Sequence, residues 1–204
     1  MKVSLIGMSG SGKTYWAKKL KAKGFTYFCC DDLIEKKLGF ELQQLGYAGI
    51  ADVASWMGQP FDSYYPTRSQ QYLDFEKDAI DEIYDNLETI SETDNVVIDT
   101  TGSVIYTSNK KKLSELTKIV YLEVPLIVTK EMYKLYLKDP KPVIWGNSFS
   151  KKNGETDMDA LRRCYPKLLD FRVKKYEQLA GRTLNYYRLR TENFGVEDFI
   201  ELVK

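Results

Sequence analysis

The segment with the clearest chemical potential lies at residues 7–14, which read Gly-Met-Ser-Gly-Ser-Gly-Lys-Thr. In this G-x-x-x-x-G-K-T pattern, the glycines let the backbone curve closely and point successive N–H groups at an anion. The lysine adds positive charge for the terminal phosphates of a nucleotide, and the threonine hydroxyl is suited to Mg²⁺. We therefore predict a loop that binds ATP and Mg²⁺, formed by Gly7, Gly10, Ser11, Gly12, Lys13 and Thr14.

Two acidic residues directly follow apolar, strand-like runs. Asp31, with Asp32 beside it, comes after the run Phe25–Cys29, and Asp99 follows Val96–Ile98. In an open parallel sheet the carboxyl ends of the strands face the ligand crevice. We expect Asp31 to orient an acceptor hydroxyl or take its proton, and Asp99 to hold Mg²⁺ together with Thr14. The alternatives are a helix cap for one member of the Asp31–Asp32 pair and an ordinary turn residue for Asp99.

Phosphoryl transfer also needs positive charge over the transferred group. Lys141 stands between Pro140 and Pro142, whose rings stiffen the backbone around it. We expect Lys141 to close over the phosphates, whereas Lys151 and Lys152 fit a solvated face. The segment Asn109–Lys112 lacks the aspartate of an N-K-x-D guanine-reading motif, which argues against a GTPase.

Composition excludes several other function classes. The chain has 204 residues and no histidine, which removes Ser-His-Asp catalysis, Cys-His catalysis and histidine metal ligands. The three cysteines form no C-x-x-C pair, and no apolar run approaches the ~18 residues of a membrane span. The net charge of +1 indicates neither a nucleic-acid nor a membrane partner. Because the first predicted strand starts at residue 2, we expect no signal peptide. We expect a cytoplasmic monomer that acts on a small hydroxyl compound.

Apolar runs alternate with amphipathic segments along the chain, which predicts a doubly wound α/β domain with a five-stranded parallel sheet and helices on both faces. We assign residues 1–204 to this single domain. Two stretches rich in glycine and proline interrupt the alternation and predict ordered loops or short helices. We expect residues 40–69 to form an insertion beside the acceptor and residues 139–158 to form a lid. The predicted strands are Val3–Ile6, Phe25–Cys29, Val96–Ile98, Ile119–Leu122 and Leu184–Tyr187.

Several segments, in the same order, resemble the shikimate kinase family over most of the chain. Residues 31–39 resemble its D-x-x-I-E-x-x-x-G segment, and residues 172–180 resemble its R-x-x-x-Y-E-x-x-A segment. Thr100-Thr101-Gly102-Ser103-Val104 stands where the family has G-G-G-S-V. Weaker matches are residues 50–58 with I-x-x-x-F-x-x-x-G, 72–76 with F-R-x-x-E, and 141–144 with R-P-L-L.

The resemblance implies a three-layer P-loop kinase fold with a lid. It also implies transfer of the γ-phosphoryl of ATP to a hydroxyl of shikimate or a shikimate-like anionic metabolite. Asp31 then binds the acceptor hydroxyl and acts as base, and Arg172 pairs with the acceptor carboxylate. Thr101 and Gly102 belong to the turn that contacts the acceptor, and Lys141 replaces a lid arginine near the ATP phosphates.

The chain departs from the family pattern on the acceptor side. Leu73 replaces the arginine of F-R-x-x-E, Thr100 and Thr101 replace two glycines, and Cys29 replaces the first acid of the second-strand segment. A leucine cannot reproduce the bidentate hydrogen bonds of an arginine, so one half of a carboxylate clamp is missing. Arg68 is a candidate for its replacement.

These departures leave two alternatives open. The first is a nucleoside or nucleotide kinase, in which aromatic residues of the 40–69 stretch stack a base instead of forming a satellite core. Those residues are Trp56, Phe61, Tyr64 and Tyr65. The second is a regulatory module that binds ATP and transfers nothing.

Overall fold

The protein is built around one parallel sheet. The computed structural model describes residues 1–47, 49–138 and 141–204, and in these ranges five strands pair in the order β2-β3-β1-β4-β5. The predicted five-stranded parallel sheet is therefore confirmed. The strands are β1 (Lys2–Ile6), β2 (Thr26–Cys29), β3 (Val96–Asp99), β4 (Lys118–Leu122) and β5 (Arg182–Leu184).

Helices cover both faces of the sheet and give three layers. Successive strand residues point to opposite faces, and they belong to two separate hydrophobic clusters. Val97 packs in the cluster that includes Trp16 and Phe199, whereas Ile98 packs in the larger cluster on the other face. The helices are α1 (Lys13–Lys21), α2 (Cys30–Gln44), α3 (Ile50–Met57), α4 (Tyr65–Thr89), α5 (Val104–Thr107), α6 (Lys110–Leu116), α7 (Leu126–Lys138), α8 (Asp157–Leu179) and α9 (Val196–Val203).

The last strand differs from the prediction. The apolar run Leu184–Tyr187 predicted a strand, but β5 ends at Leu184. The side-chain oxygen of Asn185 accepts hydrogen bonds from the backbone N–H groups of Tyr187 (3.0 Å) and Arg188 (3.2 Å). Asparagine favours such local turns, and this one stops the strand.

The 40–69 stretch contains the end of α2, helix α3 and the start of α4, with Ala48 outside the described residues. Trp56 and Tyr65 are buried in the large hydrophobic cluster and Phe61 packs against it, while Tyr64 is exposed. Most of the aromatic side chains proposed for base stacking are thus used for packing, although they join the main hydrophobic cluster and do not form a separate satellite core.

The predicted lid stretch is anchored to α4. Residues 139 and 140 lie outside the described residues, and a short 3₁₀ turn covers Gly146–Ser148. The Tyr65 hydroxyl donates to the Val143 carbonyl (2.9 Å) and accepts from the Trp145 amide (2.8 Å). Ordered packing at residues 143–145 therefore brings the base of this stretch against the body of the domain. Within the described ranges, the chain forms no helix that is both long and apolar enough to span a membrane.

Candidate active site

The loop at residues 7–14 joins β1 to α1, and its shape depends on glycine. The φ angles of Gly7, Gly10 and Gly12 are 144°, 77° and 107°, a region that other residues rarely adopt. A Cβ atom on Gly7 would also lie 2.8 Å from the carbonyl oxygen of Leu122. The sequence pattern and the backbone therefore agree on a closely wrapped loop at the carboxyl end of β1.

Lys13 and Ser11 point polar groups into this loop. The Lys13 ammonium donates hydrogen bonds to the carbonyl oxygens of Gly7 (2.8 Å) and Met8 (3.0 Å). Burial lowers the pKa of Lys13, while the negative charge of Asp99 opposes that shift. In the described structure the buried Ser11 hydroxyl has no hydrogen-bond partner. A cradle with a buried ammonium and an unsatisfied hydroxyl fits a phosphate group.

Asp99 lies at the end of β3, beside the loop, with 3% of its surface exposed. Its carboxylate interacts with the Thr14 hydroxyl and, at 3.4 Å, accepts from the Tyr27 hydroxyl. Burial raises the pKa of Asp99, and Lys13 and these hydroxyls counteract the shift. Among the described residues no group of three or more acidic or cysteine side chains could hold a metal by itself. Asp99 and Thr14 instead fit a Mg²⁺ ion that takes its remaining ligands from phosphates and water.

Asp31 lies in the first turn of α2, where the carboxyl end of β2 meets the crevice. Cys29 occupies the N-cap position, and neither Asp31 nor Asp32 caps the helix with its side chain. The capping alternative is therefore not observed. Burial raises the pKa of Asp31 to about 6, while the positive charge of Lys13 acts in the opposite direction. A carboxyl group with this pKa is suited to take a proton near neutral pH.

The two threonines that replace glycines turn their side chains inward. The Thr100 hydroxyl donates to the Leu5 carbonyl at 2.7 Å, and the Thr101 hydroxyl donates to the carboxylate of Glu76. Each threonine has only 3% of its surface exposed. Their side chains therefore do not extend into the crevice, and a contact of Thr101 with an acceptor, which stays a prediction, would be made by its backbone.

Sequence reasoning gave no role to Glu76, although the residue lies in the 72–76 segment that resembles F-R-x-x-E. It is completely buried, on the same face of α4 as Ile80, Ile83 and Leu87. The signal in the sequence is this single acid within an apolar stripe with helical spacing. The sequence could not show which groups satisfy it.

Arg172 extends from α8 to the turn after β3. A Cβ atom on Gly102 would lie 3.2 Å from Nη1 of Arg172, and Nη2 donates to the Ile144 carbonyl at 2.9 Å. Its buried Nε has no hydrogen-bond partner among the described residues. The Tyr176 hydroxyl, one helical turn away, donates to the Gly102 carbonyl at 2.6 Å. This buried guanidinium beside a glycine turn has the chemistry of an anion-binding group.

Three further cations have different placements. Lys141 follows the undescribed residues 139 and 140, and its role over the phosphates stays a prediction. Arg68 donates to the Trp56 carbonyl and packs 4.3 Å above the centre of the Tyr64 ring. Arg190, which sequence reasoning missed, places Nη2 3.3 Å from the Ser11 carbonyl oxygen.

Comparison with known proteins bears on the fold. A shikimate kinase from Acinetobacter baumannii, solved in complex with shikimate, is 19% identical over 98% of this chain and 88% of its own, with a TM-score of 0.60. A shikimate kinase from Bacteroides thetaiotaomicron is 17% identical over 98% of this chain and 94% of its own, with a TM-score of 0.56. That of Aquifex aeolicus is 16% identical over 100% and 91%, with a TM-score of 0.54.

No protein-family model and no curated protein matches the chain. Sequence identities this low carry information on architecture and leave the acceptor open. The parallel sheet, its two helical layers and the likeness over nearly the whole chain show that this protein has the shikimate kinase fold.

Proposed function

We propose that the protein is a phosphotransferase that moves the γ-phosphoryl group of ATP to a hydroxyl of a small anionic metabolite, either shikimate or a compound like it. The observation that carries this proposal is the convergence of charged groups on one ammonium. Asp31, Asp99 and Arg172 come from three separate elements, and all of them act electrostatically on Lys13. The proposal therefore assigns the phosphate, metal and acceptor sites to one place, at the carboxyl ends of the strands.

The chemistry follows from these positions. The loop N–H groups and Lys13 bind the ATP phosphates and offset the negative charge that develops during transfer. Thr14 and Asp99 hold Mg²⁺, which supplies further charge neutralisation when bound. Asp31 orients the acceptor hydroxyl and takes its proton. The acceptor oxygen forms a bond to the γ-phosphorus as the bond to the bridging oxygen breaks, and ADP leaves.

Arg172 gives the reason for an anionic acceptor. Its buried Nε is available for a charge-assisted hydrogen bond, and the neighbouring Gly102 allows close approach. Leu73 supplies no second cation, so an acceptor with a single anionic group held mainly by Arg172 fits this site.

An acceptor panel tests the proposal. Purified protein is given ATP and Mg²⁺ with shikimate, related cyclic polyols, sugar acids or nucleosides, and ADP release is followed. We expect a carboxylated polyol to stimulate ADP release in the wild type and not in Asp31→Asn. If no compound stimulates release above that variant, the protein is a nucleotide-binding module and the proposal fails. A nucleoside as the best acceptor would remove the carboxylate role of Arg172.

A further inference from the structure

A buried carboxylate lies beneath the turn that follows β3. Glu76 has no exposed surface, and its hydrogen-bond partners are three hydroxyl groups. Oε1 accepts from Thr101 and from Ser103 (2.6 Å), and Oε2 accepts from Thr107 at 2.7 Å. An ionised carboxylate only accepts hydrogen bonds, so it fixes the direction of all three hydroxyl groups.

These hydroxyls determine the shape of the turn around Gly102. The Thr101 hydroxyl donates a hydrogen bond to Glu76, and its oxygen accepts one from the Ser103 amide at 3.1 Å. This pair of bonds closes the backbone on both sides of Gly102. The Gly102 carbonyl accepts a hydrogen bond from the Tyr176 hydroxyl, and the side of Gly102 that carries no Cβ atom faces Arg172.

Packing alone does not explain an acid at this position. Burial raises the pKa of Glu76, which means that burial disfavours the charged form, and the hydroxyl hydrogen bonds oppose this effect. A well-packed apolar side chain would avoid the desolvation cost and would continue the apolar stripe of α4. The carboxylate therefore gives the turn a defined geometry that an apolar contact would not.

We propose that Glu76 is a positioning residue, which holds the Gly102 turn against Arg172 through the hydroxyls of Thr101, Ser103 and Thr107 and thereby sets the affinity for the anionic group of the acceptor. This inference rests on the proposed function, because it assigns Arg172 to the acceptor. Glu76 itself touches neither ATP nor acceptor. Substitution of Glu76 should weaken binding of the acceptor and leave binding of the nucleotide unchanged.

The test uses Thr107→Val and Glu76→Gln, with Thr117→Val as the matched control. Thr107→Val removes one hydroxyl at nearly constant volume. Thr117 also buries a hydroxyl, 2.8 Å from that of Ser4, but it precedes β4 and therefore lies at the amino end of the strands, away from the crevice. Each of the three variants disturbs a hydrogen bond made by a threonine hydroxyl in the interior, so a general loss of stability would also be seen in the control.

We expect the acceptor KM to rise about tenfold in Thr107→Val and in Glu76→Gln, with the ATP KM within about twofold of wild type. Thr107→Ser restores the hydroxyl and should restore the acceptor KM. Thr117→Val should change neither KM. An equal rise in both KM values, an unchanged acceptor KM, or failure of the serine rescue overturns the inference. If Glu76→Gln does not fold, Thr107→Val decides alone.

A crystal structure of Thr107→Val separates this inference from the proposed function. If the wild type uses no acceptor, the proposed function fails, and the turn itself becomes the readout. A Gly102 carbonyl that leaves the Tyr176 hydroxyl supports the positioning role of the Glu76 cluster. A turn that stays in place beside Arg172 overturns it.

Discussion

The proposed function divides the crevice into a phosphate half and an acceptor half, and these are built in different ways. The phosphate half is one continuous segment, and its contacts are mostly to backbone, as in the hydrogen bonds from Lys13 to the Gly7 and Met8 carbonyls. The acceptor half is assembled from α2, α4, the turn after β3 and α8, and its contacts are made by side chains such as Glu76 and Arg172. A site formed by the backbone of one segment is little affected by substitutions in other parts of the chain. A site formed by side chains from several elements is altered by a single substitution in any of them.

The departures from the family pattern fit this difference. The phosphate loop retains the whole pattern at residues 7–14, and Lys141 in place of a lid arginine keeps the positive charge, while Leu73, Thr100 and Thr101 all fall in the acceptor half. The threonine hydroxyls are absorbed by Leu5 and Glu76, so the turn keeps an ordered shape despite its new side chains. Acceptor specificity can therefore diverge while the phosphate site is preserved.

The largest effect should come from the phosphate half. Replacing the Lys13 ammonium by an apolar group in Lys13→Met should lower kcat about 1,000-fold, because a preorganised charge over the transferred phosphoryl is lost. The measurement is steady-state ADP release with the best acceptor. Lys18→Met, an exposed position on the same helix, is the control and should keep wild-type activity. If Lys13→Met keeps a tenth of the wild-type kcat, the phosphate half does not have the role assigned to it.

A smaller loss, about 100-fold in kcat, is expected for Asp31→Asn, because the amide cannot take the acceptor proton. The pKa of about 6 predicts that wild-type kcat/KM falls as the pH drops through this value. The variant should lose that acid limb. A wild-type profile that stays flat between pH 5 and 7 would refute the assignment of Asp31 as base.

Although Asp31→Asn should be less active than the wild type, it should be more stable at neutral pH. Since folding raises the pKa of Asp31 above its value of 3.8, the contribution of this group to stability is fully present below about pH 4 and is lost as the pH rises through about 6. Asp31→Asn should therefore melt at a higher temperature than wild type at pH 7.5, and the difference should shrink as the pH approaches 4. Thermal denaturation at the two pH values measures both effects.

Arg172→Lys probes the acceptor half. A lysine keeps the charge but loses the planar fork, so the acceptor KM should rise about 30-fold with little change in the ATP KM. Arg163→Lys is the control on the same helix, because Arg163 pairs with Glu155 and lies outside the site. Equal effects of the two variants on the acceptor KM would contradict a binding role for Arg172.

The smallest effect is expected for Arg68→Gln. The guanidinium of Arg68 is engaged by the Trp56 carbonyl and the Tyr64 ring, so we expect that it does not replace the arginine missing at Leu73. The acceptor KM should stay within about twofold of wild type. A rise as large as that of Arg172→Lys would show that Arg68 moves to the acceptor and completes a two-cation clamp.

The contrast between a site formed by one segment and a site formed by several elements also explains which features could be predicted from the sequence. The periodicity of the apolar residues predicted the sheet, and the glycine-rich motif predicted the phosphate loop, because both depend on residues that are close in the chain. Local signals were also enough to place Asp31 and Asp99 at strand ends. The strand boundary at Leu184 was missed because one asparagine side chain, and not the apolar pattern, ends β5.

The role of Glu76 depends on hydroxyls that are distant in the sequence, beyond any periodic signal. The same applies to Arg190 beside the Ser11 carbonyl, a contact made across almost the whole chain. Tertiary packing decides such contacts, and single-sequence patterns do not contain it.

The guanidinium of Arg172 faces the acceptor turn with one nitrogen and holds the Ile144 carbonyl with another. An acceptor that binds this guanidinium also affects its hydrogen bond to the 143–145 segment. A nucleotide that moves the segment would therefore change the affinity for the acceptor, and the acceptor would change the affinity for the nucleotide by the same factor. We therefore expect thermodynamic linkage between the two substrates if ATP moves this segment. Calorimetric titration of the protein with the acceptor, with and without bound nucleotide, measures this linkage. If the dissociation constant of the acceptor is the same in both titrations, the two sites are independent.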